Sequence, residues 1–121
     1  MIAVVLASGE PERLYTGLSL LVSAAADGRD ARGLATFGAL ELLLADDLEE
    51  RGRAARGERF ARTLAELRDA AAQLENVQIW ACAAAVETGG HDGARVAARL
   101  DGVLSTPRFL REIGDAQLVV V

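Results

Sequence analysis

The chain contains no lysine; all thirteen of its basic residues are arginines, set against eighteen acids for a formal charge of −5. That absence removes Schiff-base chemistry and the Walker A phosphate clamp, which both need a lysine amine. The negative balance does not indicate a general nucleic-acid or anionic-membrane surface, although local basic sites remain open. One cysteine, Cys82, cannot close an internal disulfide, and one histidine, His91, leaves no Cys/His set for a metal. Neither a metal nor a cofactor is expected. The opening Met1-Ile2-Ala3-Val4-Val5-Leu6-Ala7 has no basic leader, and no apolar segment is long enough to span a membrane. A cytoplasmic location and no membrane partner are the corresponding expectations.

What is present suits one compact domain over residues 1–121, with a hydrophobic fraction of 51% to fill a core. Ile2 to Ala7 is a continuous apolar run, as in a central parallel strand buried on both faces. Glu12 to Ala26 follows as a helix, with Leu14, Leu18, Leu21 and Ala25 at helical spacing, Pro11 in its first turn and closure near Gly28. Asp30 to Phe37 reads as a second strand through Ala31, Leu34 and Phe37. Ala39 to Leu48 is leucine-rich nearly all round, which predicts a helix buried on more than one side, with an oligomer interface as one means of burial. The charged segment Asp46 to Arg59, holding Gly52 and Gly57, reads as an exposed, mobile connection with frayed helix ends. Glu58 to Leu74 is a third helix with Phe60, Leu64, Leu67, Ala71 and Leu74 on one stripe.

Val77 to Cys82 is the next strand, followed by a small-residue helix, a break at Gly89-Gly90-His91-Asp92-Gly93 and a helical stretch through Val96 and Leu100. Gly102 to Ser105 forms a short fourth strand. A last helix takes Thr106 as N-cap and Pro107 as first residue, presents Phe109, Leu110 and Ile113, and stops at Gly114. Gln117 to Val121 is a fifth strand. This alternation implies a mainly parallel five-stranded sheet with right-handed crossovers and helices on both faces, a three-layer α/β/α fold.

Cys82 falls where a strand becomes a helix, at the sheet edge where open α/β proteins gather ligands. The thiolate is the nucleophile of sulfur exchange; a free thiol titrates at about 8.5, and a helix N-terminus lowers that toward neutral. A buried, inert thiol is the competing reading. The same edge gathers Ser8, Gly9 and Glu10 after the first strand and Thr36 and Gly38 after the second, whose backbone N–H groups could hold an anionic or sulfur-bearing ligand. Helix capping and turn chemistry are the favoured reading of Ser8 and Thr36, and backbone geometry is the competing reading of Gly9 and Gly38. His91 is a conceivable base for Cys82, or a solvent-exposed loop residue. Tyr15 and Trp80 read as packing residues.

Ile2-Ala3-Val4-Val5-Leu6-Ala7-Ser8-Gly9, the helix running to Ala-Ala-Ala-Asp-Gly at 24–28, the Thr36-Phe37-Gly38 turn and Ile79-Trp80-Ala81-Cys82 together resemble the DsrE/DsrF/TusD family across nearly the whole chain. The resemblance implies a small DsrE-like (DsrEFH-type) α/β domain that assembles into a homo-oligomer, a trimer or hexamer. In the sulfur-carrying members, the cysteine matching Cys82 accepts sulfane sulfur as a persulfide from a donor protein and passes it to an acceptor protein. After Cys82 the chain runs Ala83-Ala84-Ala85-Val86-Glu87-Thr88-Gly89-Gly90, without the Arg-Gly of TusD-type members.

Three functions follow as expectations. The first is a sulfur carrier or sulfurtransferase-like protein using Cys82, which requires a reachable thiol. The second is a non-catalytic oligomeric binding or scaffold protein with Leu40 to Leu48 at its interface. The third is a small-ligand or nucleotide-binding α/β module, disfavoured because Ser8-Gly9-Glu10-Pro11 lacks G-x-G-x-x-G and the flavodoxin-type phosphate loop. A receiver-type phosphoacceptor is excluded by the missing acidic pair after the first strand and the absence of lysine.

Overall fold

Short apolar runs become five parallel strands in the computed structural model, which describes residues 1–121. In chain order the elements are β1 (Ile2–Leu6), α1 (Pro11–Ala26), β2 (Ala31–Ala35), α2 (Phe37–Leu44), α3 (Leu48–Arg56) and α4 (Glu58–Gln73). They continue with β3 (Val77–Cys82), α5 (Ala83–Gly89), α6 (Gly93–Arg99), β4 (Val103–Leu104), α7 (Thr106–Ile113) and β5 (Gln117–Val120). The sheet order is β4-β3-β2-β1-β5. The chain steps from β1 through β2 and β3 to β4, then crosses the whole sheet to add β5 beside β1. Because the first three connections run one way along the sheet and the last runs back, crossovers of the usual right hand put α1 and α4 on one face and α7 on the other, giving three layers.

Side-chain packing agrees with that topology. A Cβ on Gly33 would meet Ile79 and Leu21 at 3.3 Å, so β2 and β3 present Gly33 and Ile79 to α1. One residue along, Trp80 faces the opposite layer, where its ring meets Phe109 of α7 edge-on at 6.1 Å. Tyr15 of α1 stacks on Phe60 of α4 at 5.0 Å, so both sequence-flagged aromatics pack. No polar or charged residue is buried in this core, which leaves no internal acid–base pair. No helix is long and apolar enough to cross a membrane.

Four expectations need correction. The segment expected as a mobile connection contains the regular helix α3. Gly52 is the reason: a Cβ there would lie 3.2 Å from the Ala61 Cα and from Leu64, so the missing side chain lets α3 lie directly on α4. Phe37 is not a strand residue; β2 stops at Ala35, and Phe37 opens α2 with φ +38° and 58% of its surface exposed. The leucines of α2, and Leu48 of α3, do not wait for a partner subunit. Leu40, Leu42, Leu43, Leu44 and Leu48 are each at most 3% exposed within this chain, so they supply no interface area. Lastly, α7 is capped by Ser105, one residue before the expected Thr106; its hydroxyl accepts from the Arg108 N–H at 3.4 Å.

Candidate functional site

At the carboxyl edge of the sheet, the ends of β1, β2 and β3 lie next to one another. Strand register sets Leu6 beside Ala35 and Ala35 beside Ala81. The next residues, Ala7, Thr36 and Cys82, therefore leave the sheet side by side, with Leu104 of β4 on the far side of Cys82. Cys82 ends β3 and is the N-cap of α5, the strand-to-helix junction read from the sequence.

The local chemistry is that of a tight, closed corner. The Ser8 hydroxyl accepts from the Glu10 N–H at 3.0 Å, which makes the turn that starts α1. The Thr36 hydroxyl donates to the Leu6 carbonyl at 3.3 Å, and its N–H donates to the same oxygen at 2.9 Å, tying β2 to β1. Gly9 and Gly38 pack backbone to backbone: a Cβ on Gly38 would fall 2.7 Å from both the Cα and the N of Gly9. The two turns thus fill one another, and neither cavity of the molecule is lined by Ser8, Gly9, Glu10, Thr36, Gly38 or Cys82. Glu10 is exposed and makes no side-chain cap.

Cys82 is a buried free thiol, 5% exposed and part of the main hydrophobic cluster. His91 does not join it. The histidine belongs to an open depression with Glu41, Asp92 and Arg95, held by its N–H donating to the Val86 carbonyl at 3.1 Å. No group of His, Cys, Asp and Glu stands ready to hold a metal.

Two cationic side chains that the sequence analysis passed over line the other cavity, Arg68 of α4 and Arg99 of α6. Arg68 had a legible signal. It stands four residues after Leu64 and three before Ala71, inside the apolar stripe of α4, where a solvent-facing charge does not belong. Burial, and next the charge of Arg99, push the Arg68 pKa below its ordinary value, with Asp69 and Asp46 opposing.

No known family model and no curated protein matches this sequence, so the likeness to the DsrE/DsrF/TusD family rests on the residues quoted for it.

Proposed function

We propose that the chain is a non-catalytic binding or scaffold subunit of a homo-oligomer. The observation that supports this most is the edge strand β5. It pairs only with β1, and Leu118 and Val120 on one of its faces are 44% and 66% exposed. From Gln117 to Val121 it carries no charge, proline or bulge of the kind that protects a free edge. A second copy offers the complementary edge, because two identical strands related by a two-fold axis present the same donors, acceptors and apolar face to each other. The interface assigned to this reading is therefore β5 in place of the Leu40–Leu48 segment. Light scattering on wild type and on Leu118→Glu with Val120→Lys tests it. The expected result is a multimer for wild type and a folded monomer for the double variant; a wild-type monomer at about 100 μM, far above the Kd of a stable assembly, would remove it.

One observation favours a second reading, a sulfur carrier. Cys82 stands at the carboxyl end of an inner strand and heads α5, as a persulfide-forming cysteine of the resembled family would. Its burial weighs against this, because a donor and an acceptor must each reach the sulfur in line. The two readings separate on whether Cys82 takes up and releases sulfur.

A further inference from the structure

A cavity of about 190 Å³ lies between α1, α4 and α6 over β3. Leu18, Leu43, Ile79 and Leu100 give it apolar walls, and Arg68 and Arg99 line it as cations. The nearby acids do not neutralise them evenly. Asp46, 77% exposed, is shared by two arginines, Arg99 at 2.9 Å and Arg95 at 3.2 Å. Asp101 lines the cavity, but its carboxylate accepts from the Ile79 N–H at 2.8 Å. Asp69 also lines it and is next to Arg68 in sequence, and adjacent helix positions do not face one another.

Arg68 is left without an ion pair. Its only hydrogen bond is from Nη1 to the Ala45 carbonyl at 2.8 Å, and its Nε–H is buried with no acceptor. A half-buried guanidinium with no ion pair, beside a second guanidinium, calls for an acceptor oxygen, and a carboxylate supplies one. The volume equals that of about six water molecules in the liquid, too small for a nucleotide or a drug-sized ligand.

We propose that this cavity binds a small monocarboxylate with a short apolar tail, its carboxylate against Arg68 and Arg99 and its tail against Leu18, Leu43 and Ile79. The site goes beyond the assembly reading and uses no residue of β5. The test is an amide chemical-shift titration of the isotope-labelled protein with sodium butyrate, and with 1-butanol as the uncharged counterpart. Butyrate shifts amides of residues 68–72 and 98–101 and saturates, whereas 1-butanol binds about tenfold more weakly or worse, the loss expected for a charge-assisted hydrogen bond. Arg68→Gln weakens butyrate by about the same factor. The comparison of the two ligands needs no variant, so it stands even where Arg68→Gln does not fold. Equal binding of both ligands, shifts confined to other residues, or no saturation by about 10 mM, which fills a site of millimolar Kd, each overturns the proposal. The readout lies in α4 and α6, so a monomeric wild type would remove the assembly reading and leave this one standing.

Discussion

Gly38 has no room for a methyl group. Its missing Cβ would press on backbone atoms of Gly9 at 2.7 Å, and a backbone does not swing aside as a flexible side chain does. Gly38→Ala is therefore expected to cost about 1–3 kcal/mol, the range for overpacking a closed contact. Urea unfolding checks it: the midpoint should fall at unchanged slope, and an unchanged midpoint would mean that the two turns separate freely. Beside it, Phe37 takes a left-handed backbone, uncommon for an aromatic residue, as the chain turns from β2 into α2 within two residues. The sequence placed Gly9 and Gly38 at one sheet edge because strand ends in a parallel sheet converge, and the two glycines meet there backbone to backbone. It did not show that the glycines close the corner or that Cys82 is buried, because both depend on packing between segments distant in the chain.

At the scale of elements, the hinge between α3 and α4 holds an ion pair. The Arg53 guanidinium donates to the Glu58 carboxylate across Gly57, whose φ of +88° reverses the chain. That hydrogen bond, aided by the Arg53 charge and opposed by desolvation, holds the Glu58 carboxyl below its ordinary value. A depressed acid contributes stability above its unfolded pKa, about 4.3 for glutamate, and loses it as pH falls through the folded value. Carbon-detected titration should place the Glu58 midpoint below that of a free glutamate, and Arg53→Gln should return it to the ordinary range. A wild-type midpoint already at the ordinary value would show that the pair does not persist in solution. Helix α3 was the element least legible in the sequence. Its nine residues are mostly charged, with Leu48 and Gly52 alone buried, so no apolar stripe announced it. The strands β1, a continuous apolar run, and β3, apolar apart from Gln78, were read nearly to the residue.

For the whole molecule, the alternation of strands and helices was enough to foresee a parallel three-layer fold. The placement of β5 beside β1 was not foreseen, since it follows from the return crossover of α7 and not from any pattern within Gln117–Val120. That placement leaves an apolar edge on the outside, while Cys82 lies inside. On the proposed reading the protein binds and assembles through that edge, and Cys82 is a packing group of the core. Intact-mass analysis of the folded protein and of Cys82→Ser, after incubation with a persulfide donor and then with a thiol acceptor, tests this most directly. The account predicts an unchanged mass for both proteins while they remain folded. Sulfur gained by wild type alone, and lost again to the acceptor, would contradict it and establish Cys82 as a carrier.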